Sequence, residues 1–214
     1  MNRLTLILVA TLTLLTGCFR PSVRGDGVIK TEDRPISDFS KIVVTGGYEI
    51  KWSGGKPALK ITTDQNLLPL IATVVNGDTL EIGSTNDLSP TKGITIILSS
   101  AALTGAQLTG GNSFTGSQIT GPDLKLESTG ASDITVDGSV TNLEVNFTGA
   151  GHLDAKSLQA QTSDITLVGA SDADVTVTDT LKASITGAGS LTYSGNPKSV
   201  EQNITGAGTI QKRP

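Results

Sequence analysis

The residues best suited to chemistry are four aspartates and a histidine that recur at fixed distances from a repeated glycine. Three and five positions after that glycine stand Asp133 and Thr135, then His152 and Asp154, then Asp172 and Asp174. If successive copies stack in register, Asp154 and Asp174 become neighbours and His152 lies between Asp133 and Asp172. Outward carboxylates grouped in this way have the donor chemistry for calcium, which takes oxygen ligands. They also suit glycosidic-bond cleavage, which uses a pair of carboxyl groups. The same pattern serves equally as a solvated face on a strand-rich fold. No lysine or arginine shares these columns, so the sequence sets no base or charge stabiliser beside the carboxylates. His152 is the sole histidine, which excludes a multi-histidine metal site.

A second reactive position lies near the start. Asn2 and Arg3 precede an apolar stretch from Leu4 to Leu15, followed by Thr16-Gly17-Cys18. The stretch is too short to span a bilayer and reads as a signal peptide over residues 1–17. Leu15-Thr16-Gly17-Cys18 matches the bacterial lipobox, in which the cysteine thiol is acylated and becomes the first residue after cleavage. Cys18 is the only cysteine, so the chain can form no internal disulfide, although its destination is oxidising. Phe19 stands where an aspartate would signal inner-membrane retention, which points to the outer membrane. Residues 18–26, with Pro21, Gly25, Arg20 and Arg24, read as a lipidated tether. The chain carries a formal net charge of −4, which argues against a nucleic-acid partner.

The elements that must position the aspartates follow from the glycine repeat itself. Gly130, Gly149, Gly169, Gly187 and Gly206 each open a Gly-Ala-Gly or Gly-Ala-Ser phrase, 18 to 20 residues apart, and Gly110 opens a degenerate sixth copy, Gly110-Gly111-Asn112. A fixed period of this length marks a solenoid. Before each glycine the apolar positions alternate with polar ones: Leu124 and Leu126, Leu143, Val145 and Phe147, Ile165 and Leu167, Leu181 and Ile185. Period two means strand. Each repeat is thus strand, tight glycine corner, strand and a looser return. The predicted fold is all-β, a right-handed parallel β-helix with about 19 residues per turn, its rungs about 4.8 Å apart. Five copies of one corner need a structural cause, and a turn without a Cβ supplies it better than phosphate binding does.

Residues 27–102 lack the repeat and read as short irregular strands that cap the stack or form its first turns; residues 103–214 hold the regular repeats. Asn76-Gly77 predicts a hairpin turn. Leu67, Leu68 and Ile71 fit a short helix or broad loop, with Asp64 as its cap and Pro69 limiting it. At the far end, Gln211-Lys212-Arg213-Pro214 brings the charge and proline that blunt an exposed strand edge. Thr109, Thr129, Thr148, Thr186 and Thr205 should stack as an outward ladder. Tyr48, Trp52 and Tyr193 are the aromatics available for sugar stacking, but their parity assigns them to the core.

Several motifs in order resemble one known family. Asp38-Phe39-Ser40-Lys41-Ile42, Val44-Thr45-Gly46-Gly47-Tyr48-Glu49-Ile50, Ile61-Thr62-Thr63-Asp64-Gln65-Asn66-Leu67 and Asn76-Gly77-Asp78-Thr79-Leu80-Glu81-Ile82 precede the recurrent corners. This series resembles the head GIN domain family, also labelled "putative autotransporter adhesin". The resemblance implies a β-helical fold and an envelope lipoprotein or secreted location, and it implies no established activity or catalytic residue. The leading expectation is a non-enzymatic, lipid-anchored module of the bacterial cell envelope. It would hold the membrane through acylated Cys18 and contact glycans or envelope proteins through flat polar faces. The alternatives are a carbohydrate-active enzyme or calcium-dependent glycan binder using the aspartate columns, and an envelope-stress accessory with an inner-membrane partner.

Overall fold

A computed structural model describes residues 22–213. The expected signal peptide over residues 1–17, Cys18 and Pro214 lie outside the described residues. The chain is nearly all strand and winds into a β-solenoid of about five turns, as the phase of the repeats requires. Its first part holds β1 (Val23–Arg24), β2 (Ile29–Arg34), β3 (Lys41–Gly46), β4 (Glu49–Gly54), β5 (Ala58–Asp64), β6 (Ala72–Asn76), β7 (Thr79–Gly83), β8 (Leu88–Ser89) and β9 (Thr95–Ser100). The repeats form β10 (Gly105–Gly110), β11 (Ser113–Gly130), β12 (Asp133–Gly149), β13 (His152–Gly169), β14 (Asp172–Gly187), β15 (Ser190–Ser194), β16 (Ser199–Gly206) and β17 (Thr209–Lys212).

One 15-stranded sheet carries both parts. β3 pairs in parallel with β10, and β4 with β11, so residues 41–54 form a turn of the same stack. Gly46 falls on the column of Gly110 and is therefore the first corner of the series. Beyond it the pattern changes direction: β6 runs antiparallel to β7, β5 to β9 and β2 to β5. These reversals cover the first turn. The β6–β7 hairpin turns at Gly77-Asp78, one residue later than the expected Asn76-Gly77, because Asn76 still pairs with Thr79 and only Gly77, at φ 62°, is left-handed. The segment after Asp64 is a single 3₁₀ turn, Leu68–Leu70, without a side-chain cap.

Asp64 has a different role from the expected cap. Its buried carboxylate accepts hydrogen bonds from the amides of Gly27 (2.7 Å) and Thr91 (2.8 Å) and from the Thr91 hydroxyl (2.7 Å). Nearby, β1 pairs with β8, and the Asp26 amide donates to Asn66 Oδ1. The docked fold therefore begins by Val23, and residues 23–26 are strand and clasp where a tether through Asp26 was expected.

The inward columns alternate as the sequence requires. Leu124, Leu143, Leu181 and Ser163 stack in one column, Leu126, Val145, Ile165 and Ala183 in the next, and Ser128, Phe147, Leu167 and Ile185 in a third, all buried. Tyr48, Trp52 and Tyr193 are also core, at 4%, 4% and 9% exposure. Trp52 satisfies its indole N–H on Ser100 Oγ at 2.9 Å.

The corner glycines stack directly on one another, with φ between 109° and 127° from Gly110 to Gly206. A Cβ on any of them would meet the carbonyl of the glycine one rung below. The corner is thus closed to L side chains twice over, by backbone conformation and by space. The third residue of each phrase has its own logic. Ser132 Oγ donates to the Gly110 carbonyl and accepts from the Asn112 amide, and Ser171 Oγ repeats the bridge between Gly149 and the Gly151 amide. Between them Gly151 leaves room, since a Cβ there would press on the Ser132 carbonyl at 2.7 Å. In the degenerate copy Asn112 Oδ1 accepts from the Tyr48 amide at 3.1 Å, so the amide side chain joins the repeats to the turn before them.

Candidate functional site

The solenoid turns each candidate residue into a member of a column. Asp133 pairs with His152, His152 with Asp172 and Asp172 with Ser190; beside them Thr135, Asp154, Asp174 and Thr192 form the next column. The residues singled out by spacing are therefore brought onto one outward face. Strand pairing sets the backbones of neighbours in a column at inter-strand spacing, about 4.8 Å.

Two of the four carboxylates are paired with cations. Lys156 Nζ lies 2.8 Å from Asp154 Oδ2, and its amide donates to Asp154 Oδ1 at 3.2 Å. Arg213 pairs with Asp174, and Asp172 Oδ1 accepts from the Ser190 amide at 3.0 Å. Partial burial raises the Asp154 carboxyl pKa, but the Lys156 ammonium and amide, with a smaller contribution from His152, outweigh it and hold the group below the usual carboxylate range. Among the described residues, no group of three or more His, Cys, Asp or Glu side chains is placed to hold a metal ion.

Two cations thus reach this face, contrary to the expectation that none would. The reason lies in how the stack absorbs its uneven period. Toward β14, Ala155 pairs with Val175 and Gln159 with Thr176, so Lys156, Ser157 and Leu158 have no partners on that side; toward β12 Ser157 and Leu158 stay paired, which leaves Lys156 as the residue at the bulge on both sides. That bulge carries Lys156 to Asp154, two positions back. Arg213 follows β17, which pairs with β15 rather than β14, and its long side chain spans back to the rung of Asp174. Uneven glycine spacing was the sequence signal for the bulge; nothing in the repeat pattern signals Arg213.

A second outward face carries longer polar columns. Thr45, Thr109, Thr129, Thr148, Val168, Thr186 and Thr205 lie in one line, so the threonine ladder is present, extended by Thr45 and interrupted by Val168. Next to it run Glu127, Asn146, Thr166, Ser184 and Asn203, and then Lys125, Glu144, Asp164, Lys182 and Glu201. Opposite charges meet along the last of these, Lys125 with Glu144 at 3.1 Å and Lys182 with Asp164 at 3.5 Å. A shallow polar concavity of about 330 Å³ lies over Glu144, Asn146, Asp164, Thr166, Lys182 and Ser184. Exposed pairs of this kind add little stability. They do keep a flat surface hydrated and of mixed charge.

Comparison with known proteins gives the following. The family described as "putative auto-transporter adhesin, head GIN domain" matches residues 38–197. A crystal structure of a "putative adhesin" from Bacteroides fragilis superposes with a TM-score of 0.74 at 21% identity, covering 90% of this chain and 100% of that one. A "putative lipid binding protein" from Parabacteroides distasonis gives 0.56 at 23% identity, covering 91% and 100%. A "putative adhesin" from Parabacteroides merdae gives 0.56 at 20% identity, covering 90% and 99%. At these identities the likeness is one of fold. A comparison with curated proteins finds no match.

Proposed function

The chain belongs to the head GIN domain family, and from that premise we propose that it is a lipid-anchored module of the bacterial cell envelope that works by adhesion-like binding. Cys18, acylated after removal of residues 1–17, holds the membrane, with the outer membrane favoured by Phe19 at the following position. The solenoid projects from that anchor and presents flat polar columns to glycans or envelope proteins. The observation that carries the reading is the pairing on the aspartate face. Asp154 and Asp174, the groups a hydrolase would need, are each held by a cation of the same chain. Asp154, held ionised by Lys156, is a poor general acid, which must be protonated at working pH. Family names and the names of the folds it resembles point the same way.

The test uses whole cells. Cells carrying the full chain should incorporate labelled palmitate into it at Cys18, lose the protein to external protease, and attach less well to a host or abiotic surface afterwards. Complete protection from protease together with unchanged attachment in a deletion strain would reject the adhesive reading.

A further inference from the structure

Among the described residues, the last turn leaves its inward columns open. β16 continues the columns of β14 with Val200, Gln202 and Ile204 in register with Leu181, Ala183 and Ile185. The lower three are buried, whereas Val200 and Ile204 are 38% and 42% exposed. In a parallel ladder, alternate residues turn both backbone groups to the same neighbour. The Ala207 amide donates to the Gly187 carbonyl, on the parity of Glu201, Asn203 and Thr205, so those residues bond to β14. Val200, Gln202 and Ile204 therefore point N–H and C=O at the open edge. The charged tail does not protect them as the sequence suggested it would. Lys212 bonds to Asn196 and Arg213 turns back to Asp174.

We propose that this edge pairs with the same edge of a second copy, antiparallel and tail to tail, about a two-fold axis at Gln202. The choice of occupant and register comes from self-complementarity. Centred on Gln202, the pairing sets Val200 against Ile204, Glu201 against Asn203, and Gln202 against itself. Apolar groups then close the open core, an amide meets each carboxylate, and the two Gln202 side chains can satisfy each other. Centring on Glu201 instead sets two carboxylates face to face, which is unfavourable. Centring on Asn203 sets Ile204 against Gln202 and Val200 against Gly206. Two-fold pairing of one patch with itself also closes after two copies, where head-to-tail stacking would run on as a filament. At the opposite end the outermost strands, β2 and β6, run antiparallel to their neighbours and so do not continue the parallel columns that β16 extends.

This inference deepens the adhesive reading by naming its partner as a second copy of the same chain, and it rests on that reading only for its cellular meaning. β1 pairs with β8 at the first-turn end, so a chain held by its N-terminus presents β16 away from the membrane. Two chains on facing surfaces would meet at these ends.

The experiment uses the full chain with Cys18→Ser in detergent, followed by sedimentation and by crosslinking with a short bismaleimide. A concentration-dependent dimer is expected, weakened about tenfold or more by Ile204→Lys with the melting temperature unchanged. Asn203→Cys should crosslink between chains, and Asn146→Cys, three rungs below the edge, should not. A monomer at every concentration up to the solubility limit would overturn the proposal, as would a dimer indifferent to Ile204→Lys or equal crosslinking at both cysteines. The two proposals fail separately. Tail-to-tail dimers with cells that do not attach would keep the pairing and discard adhesion, and attachment by a strictly monomeric chain would do the reverse.

Discussion

Arg213 sits on the carboxylate of Asp174, tying the segment after the last strand to a rung two steps back in the stack. This contact, with that of Lys156 on Asp154, decides the character of the aspartate face. Without the two cations four uncompensated carboxylates would share two adjacent columns; with them Asp154 and Asp174 are paired, and only Asp133 and Asp172 lack a cation among the described residues.

Calcium should therefore leave the melting temperature of the protein unchanged. Arg213→Ala should lower stability only slightly, by about 0.2–1 kcal/mol, because the pair is partly exposed. Thermal melts with and without calcium check both statements. A rise in melting temperature with calcium that disappears in Asp154→Asn would show a metal site on this face.

The inward and outward parities make opposite demands on adjacent residues. Val145 is fully buried, and Asn146 lies outward with its amide donating to Glu144 Oε1. Val145→Asp forfeits roughly 1.5–3 kcal/mol of apolar burial and adds an unpaired buried charge, so soluble folded protein should be lost. Asn146→Asp should shift stability by less than about 1 kcal/mol through its carboxylate neighbour. Circular dichroism and expression of the two variants make the comparison; equal tolerance would contradict the assigned phase.

Ser163 occupies an inward position between Leu143 and Leu181, and its hydroxyl is buried with no hydrogen-bond partner among the described residues. Removing an unsatisfied buried hydroxyl lifts a desolvation penalty of about 1–3 kcal/mol, set against the small loss of packing. Ser163→Ala should be neutral or stabilising in a denaturant titration. A loss of more than about 1 kcal/mol would mean that the hydroxyl has a partner.

The clasp at Asp64 sets a pH dependence. Burial raises the carboxyl pKa, but hydrogen bonds from the Thr91 amide and hydroxyl and the Gly27 amide overcome this and lower it below the usual value. A depressed folded-state pKa gives stability that is complete above the unfolded carboxylate pKa and is lost as pH falls through the folded one. Protection of the amides around residues 25–28 and 90–93, taken relative to their intrinsic exchange rates, should fall on acidification below the ordinary carboxylate range. In Asp64→Asn that protection should already be low at neutral pH and change little with acid. Unchanged protection in that variant would dismiss the clasp.

Much of this architecture is legible in the chain because a solenoid converts sequence period directly into spatial register. The alternation around Val145 and the spacing of Asp133, His152 and Asp172 need only that rungs stack. What escapes is whatever departs from the repeat. Gly46 is a corner like the others, but Tyr48 follows it where later copies carry Asn, Ser or Gly, so the periodic signal fades there. The antiparallel β2 and β5 follow from pairing choices that apolar alternation does not encode. Lys156 and Arg213 reach the aspartates because long side chains cross columns, and a column argument counts only residues within them. Asp64 looks like a helix cap in sequence, yet its partners lie 27 and 37 positions away.

The central claim is that the polar faces bind and do not catalyse. The most direct measurement incubates the purified full chain with a panel of acidic and neutral polysaccharides and follows retention and chain cleavage in the same samples. Saturable retention of at least one polysaccharide, with no new reducing or unsaturated ends, is expected. Cleavage products that vanish in Asp154→Ala and Asp174→Ala would contradict it.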